Sequence, residues 1–135
     1  MSQWTHVCGC IRYDALRMCI LPGQSINDLK ALLGNTVSFE DSEDKWEACN
    51  VPRGSEGSIQ FSFWENPHRP SLAAYTVAIF GDLRDFGNDN VQQIKDWFER
   101  VTHNDLLIVR NAILEIEVEY CDEPIILRYE SPKIE

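Results

Sequence analysis

SIQFSFWENPHRPSLAAYTVAIF, residues 58–80, is the stretch on which the fold turns. Ile59, Phe61 and Phe63 alternate with Ser58, Gln60, Ser62 and Trp64, the two-residue period of a strand with one buried face. Pro67 and Pro70 then interrupt, so Glu65 to Pro70 is a loop, because proline lacks the N–H that a ladder needs. From Leu72 to Phe80 the alternation resumes, with Ala73, Tyr75, Val77 and Ile79 on one face and Ala74, Thr76 and Ala78 on the other. Two adjacent strands joined by a short loop make a hairpin.

Outward from the hairpin, each side carries a helical pattern and then another strand. Upstream, Ser25 to Gly34 has Ser25 as N-cap, Ile26, Leu29, Leu32 and Leu33 as an apolar stripe, and Gly34 as the stop. Before it, Trp4 to Tyr13 places Thr5, Val7, Gly9, Ile11 and Tyr13 opposite Trp4, His6, Cys8, Cys10 and Arg12. Downstream, Asp89 to Thr102 shows Val91, Ile94, Trp97, Phe98 and Val101 at helical spacing, with Asp89 and Gln92 in capping-box positions. Leu107 to Tyr120 and Ile125 to Glu130 follow as strands. The order is β-α-β-β-α-β with an extra C-terminal strand. This predicts one ferredoxin-like α+β domain over residues 1–135, a mostly antiparallel sheet with two helices on one face. The other face is then open, and His6, Cys8, Cys10, Arg12, Gln60, Trp64 and Thr76 lie on it.

The chain has 135 residues, 44% hydrophobic and 25% charged, which excludes wholesale disorder. A net charge of −10 argues against nucleic acid and anionic membranes as partners, since both need clustered Lys and Arg. No apolar run approaches the ~20 residues that span a bilayer. The opening residues show no basic region leading into a long apolar stretch, and the expectation is a cytoplasmic protein. Five cysteines, an odd number, then read as free thiols.

The chemistry is sparse. Cys8-Gly9-Cys10 could share a metal with Cys19 or Cys49, but structural zinc usually takes turn-borne Cys-x-x-Cys pairs, and we assign no metal. His6 lacks a partnered nucleophile, and nothing groups His68 or His103 into such a set, so no catalytic residue and no cofactor is assigned. Glu40 to Glu47 lacks the spacing of a calcium loop and reads as a solvated connection, within which Asp44 to Cys49 can form a helical turn anchored by Trp46. Glu115, Glu117 and Glu119 alternate as the wet face of an edge strand that Arg128 can pair across. Two clusters could hold an anion. Arg53-Gly54-Ser55-Glu56-Gly57 offers backbone N–H groups, a hydroxyl and a guanidinium. Gly81-Asp82-Leu83-Arg84-Asp85 reads as a strand–loop–helix junction, with Glu56 and Asp85 able to neutralise the arginines instead. Arg12, Arg53, Ser55 and Arg84 are therefore the candidate ligand-binding residues.

Trp4 to Val7, Pro52 to Gly57 and Ala73 to Asp85 together resemble small proteins carried by bacteriophages and prophages. The resemblance implies an accessory phage protein in the host cytoplasm, an antagonist of host defence that binds a host protein or sequesters a small signalling molecule. Three readings follow. The first is a non-enzymatic binding protein for a small anionic, nucleotide-like ligand. The second is an acidic inhibitor that blocks a basic surface of a host protein or nuclease. The third is a small hydrolase or transferase. A homo-oligomer built on the open sheet face, through Trp4, His6, Trp64 and Thr76, is also expected.

Overall fold

Trp4–Asp14 (β1) runs through the middle of a five-stranded sheet, in which every neighbouring pair is antiparallel. The computed structural model describes residues 2–14, 24–65, 73–104, 108–121 and 123–130. Along the chain follow α1 (Gln24–Leu33), α2 (Glu43–Ala48), β2 (Gln60–Glu65), β3 (Ala73–Arg84), α3 (Val91–Thr102), β4 (Ile108–Val118) and β5 (Ile125–Glu130). Across the sheet the order is β2-β3-β1-β4-β5. The protein is α+β, as expected.

The succession β-α-α-β-β-α-β-β is not the ferredoxin-like β-α-β-β-α-β pattern. The difference arises in the acidic connection, which has no apolar period yet folds. Ser42 accepts a hydrogen bond from the Lys45 N–H and caps α2. Asn35 and Asn50 tie the two ends of the connection together, with the Asn35 N–H donating to Asn50 Oδ1 at 2.5 Å. Ser38 and Gly57 form a bridge, as do Arg53 and Ser58. Such bonds satisfy backbone groups that periodicity does not reveal.

Both long helices lie on one face, over a continuous core. Leu29 and Leu33 of α1 and Ile94, Trp97, Phe98 and Val101 of α3 meet Val7, Ile11, Val77, Ile79, Leu114 and Ile116 of the sheet. Trp97 joins the layers. Its Nε1 donates to the Leu33 carbonyl at 2.9 Å, and its ring stacks on Phe61 at 5.5 Å and 11°. Gly34 takes φ +110° and stops α1, its N–H returning to Lys30, because glycine adopts that conformation without a side-chain clash.

Three local expectations change. The capping box does not form: Asn88–Asn90 is a 3-10 turn, α3 starts at Val91, and Gln92 donates to Asp96 instead. Gly81 to Arg84 is not a loop, because β3 continues through it, paired with Trp4 to Val7 of β1. β4 is an inner strand, since β5 covers its outer side, and Arg128 stands opposite Ile113 with no ion pair to the glutamates among the described residues. Residues 66–72, which hold all of the expected Glu65 to Pro70 loop but Glu65, lie outside the described residues, as do Cys19 and His68; Glu65 itself ends β2, and Ser25, the expected N-cap, falls within α1.

Candidate functional site

The two anion-binding clusters meet. Residues 53–57 fold onto the end of β3: the Ser55 N–H donates to the Arg84 carbonyl and the Gly54 N–H to Gly57, both at 2.8 Å. Gly54 permits this approach, because a Cβ there would stand 2.3 Å from the Arg84 oxygen. At the turn Asp85 has φ +55°, a conformation that short polar side chains tolerate.

Once together, the polar groups satisfy one another. Arg84 pairs with Glu56 and donates through Nε to Ser2 Oγ at 3.1 Å. Ser55 Oγ donates to Asp85 Oδ2 at 2.7 Å. That hydrogen bond, with help from Ser2 and Arg84, holds the Asp85 carboxyl below the usual aspartate range. Arg53 donates to the Trp46 carbonyl and lies 5.5 Å over its ring, which fixes α2. Arg53, Ser55 and Arg84 are thus engaged by partners within the fold.

Arg12 stands apart from them, on the open face of the sheet. The ladder aligns that face in rows. Asp82, His6 and Glu117 form the first row, and Phe80, Cys8, Glu115 and Ile126 the second. Ala78, Cys10, Ile113 and Arg128 form the third, with Ser62 beside Ala78. Trp64, Thr76, Arg12, Asn111 and Glu130 share the fourth. Six large apolar side chains are exposed among the described residues, and four of them, Trp64 (53%), Phe80 (47%), Ile113 (39%) and Ile126 (49%), belong to this face. Sequence alternation already placed His6, Cys8, Cys10, Arg12, Thr76, Gln60 and Trp64 here. Phe80 continues the Thr76 and Ala78 alternation of β3; Asn111, Ile113, Ile126 and Arg128 join the face because the phase of β4 and β5 against β1 is set by ladder register.

The two ends of the face differ in charge. At one end the ring nitrogens of His6 face Asp82 Oδ1 at 2.6 Å and Glu119 Oε2 at 3.4 Å. The Asp82 hydrogen bond is the main cause of an imidazole pKa above its ordinary value, with Glu119 adding to it against partial desolvation. Three carboxylates (Asp82, Glu117 and Glu119) surround one histidine, so this end is acidic even when His6 is charged. At the other end Arg12 donates to the neutral Asn111 Oδ1 at 3.2 Å. Arg12, Asn111, Arg128 and Cys10 line a cavity of about 190 Å³. Among the described residues neither arginine meets a carboxylate.

Cys8, Cys10, Cys49 and Cys121 are free thiols. Among the described residues no three His, Cys, Asp or Glu side chains converge to hold a metal ion, and no helix is long and apolar enough to cross a membrane. Comparison of the chain with protein-family models, curated proteins and solved structures gives no match.

Proposed function

We propose that the protein is a non-enzymatic binding protein that sequesters a small anionic, nucleotide-like ligand at the basic end of its open sheet face. The observation that carries this reading is the pair Arg12 and Arg128. Both line one cavity with Asn111, and in a chain of net charge −10 neither is neutralised by a described carboxylate. Their backbones are about 12 Å apart from strand spacing and rise, within reach of two long side chains converging on one phosphate. The cavity of about 190 Å³ suits a phosphate group rather than a whole ligand. The rest of the ligand would extend along the row over Thr76 to Trp64, about 10 Å from Arg12, where an exposed indole offers a stacking surface. Ser62, Thr76, Ala78 and Cys10, which lie on this face between Arg12 and Trp64, are small side chains.

This role fits an accessory phage protein that captures a host defence signal in the host cytoplasm. Isothermal titration with orthophosphate, pyrophosphate, mononucleotides and cyclic dinucleotides tests it. Saturable binding that Arg12→Ala and Arg128→Ala each weaken at least tenfold supports the reading; no saturable binding to any of these probes refutes it.

A second reading is supported by the connection between α1 and β2. Phe39 is 70% exposed there, beside Glu40, Asp41, Glu43, Asp44 and Glu47. An exposed apolar anchor next to a run of carboxylates suits a basic protein surface, as an inhibitor of a host nuclease would need. Its binding would fall steeply with salt, whereas a partly enclosed arginine site is screened less.

A further inference from the structure

The open face carries charge of opposite sign at its two ends, with an apolar band between them. Phe80, Ile113 and Ile126 form the band, with Cys8, Cys10 and Ala78 as small side chains among them. Asp82, Glu117 and the His6-bound Glu119 mark one end, Arg12 and Arg128 the other. A surface of this kind is complementary to itself when turned end for end.

We infer that two copies of this chain dock face to face through the open sheet, about a two-fold axis that lies across the strands between the Cys8 and Cys10 rows. Such an axis keeps each strand over its own counterpart and reverses its direction. The first row then meets the fourth row of the other copy, and the second meets the third. Phe80 falls against the Ala78 position of the second copy, so a large ring meets a small side chain. Ile126 falls on the aliphatic stem of the opposing Arg128. Arg12 of each copy falls over His6 of the other, where the flanking carboxylates of Asp82 and Glu117 outnumber the imidazole, and Arg128 falls beside the opposing Glu115. Symmetry doubles every one of these contacts, as an isologous interface requires. Sheets packed face to face stay within ~30° of alignment and ~10 Å apart, which suits side chains of these sizes.

The area is sufficient. The three central strands run through all four rows and β2 and β5 only through the second to fourth, so the overlapping footprint is about 500 Å². Side-chain relief brings it toward the ~800 Å² each partner buries in a standard interface. The alternative, leaving Phe80, Ile113 and Ile126 all in water, is uncommon for a monomer. This inference does not rest on the ligand reading. If both hold, an anion at Arg12 and Arg128 replaces the other copy's carboxylates, and ligand and dimer compete.

Light scattering after size exclusion tests the proposal, on the full chain in low-salt buffer without phosphate or sulfate and across the micromolar range. The expected result is twice the monomer mass, with dissociation on dilution and on adding salt. Arg12→Glu and Glu117→Arg each change one exposed side chain, and each should weaken the dimer at least tenfold. Combined in one chain they restore the opposite-charge pair and the dimer. Phe80→Ser should also give monomer, with an unchanged circular dichroism spectrum. A monomer at all concentrations overturns the proposal. So does a dimer indifferent to Arg12→Glu or to Phe80→Ser, and so does a double variant that stays as weak as the singles. Calorimetry on the monomer tests the ligand reading separately, and either can fail without the other.

Discussion

Replacing Trp97 by phenylalanine separates a hydrogen bond from the packing around it. The side chain is 4% exposed, its ring stacks on Phe61 at 5.5 Å, and its Nε1 donates to Leu33 O at 2.9 Å. Leu33 ends α1, so its carbonyl is one of the last four that no intrahelical N–H reaches. Phenylalanine keeps the stack and removes the donor. A buried carbonyl left without a partner costs about 1–3 kcal/mol. The lost half of the indole leaves a small void that adds roughly 1 kcal/mol. The total is about 2–4 kcal/mol, against ~3–5 kcal/mol for Trp97→Ala. Urea unfolding followed by circular dichroism reads this directly. With a slope of about 2 kcal/mol per M, the midpoint should fall by about 1–2 M at unchanged slope. A shift of ~0.5 M or less is what the void alone produces at this slope; it would mean that the Nε1 bond contributes nothing, and the account of how α1 is fastened to α3 would be wrong.

Other outcomes follow from the same structure. His6 has a raised pKa, chiefly from Asp82, so its contribution to stability is fully present below its ordinary value of 6.5 and fades as pH rises through the higher folded value. The melting temperature of the wild type should therefore decline from pH 6 to pH 8 more than that of His6→Asn, and equal profiles would exclude the His6 pairs as a cause. Asp85 is lowered mainly by Ser55, so its contribution holds above its ordinary value of 3.8 and is lost as pH falls. NMR titration of Ser55→Ala should show the Asp85 carboxyl moving back up. Arg84→Ala should change stability by less than ~1 kcal/mol in denaturant melts, because the Arg84 and Glu56 side chains are 41% and 34% exposed. Gly54→Ala, by contrast, forces a Cβ to 2.3 Å from the Arg84 oxygen and should destabilise by over ~1 kcal/mol.

Much of the architecture is legible in local pattern. The alternation of Phe61 and Phe63, of Tyr75, Val77 and Ile79, and of Leu114, Ile116 and Val118 marks inward faces, and all these side chains are buried or half-buried. The stripe on α3 and the stop at Gly34 are equally local, because a helix or strand needs only its own period to show which side is dry. The sequence by itself also named Arg12 and placed it on the open face. What tertiary structure alone decided is which polar groups are spent. Arg84 and Glu56 are 28 residues apart, and Ser55 and Asp85 are 30 apart, and no spacing rule says that the loop docks on that strand. Arg128 lay open to pairing with the glutamates until ladder register set it opposite Ile113 and beside the cavity that Arg12 lines. Periodicity assigns a side chain to a face, but its neighbour on that face comes from another strand, and only the closed ladder fixes that register.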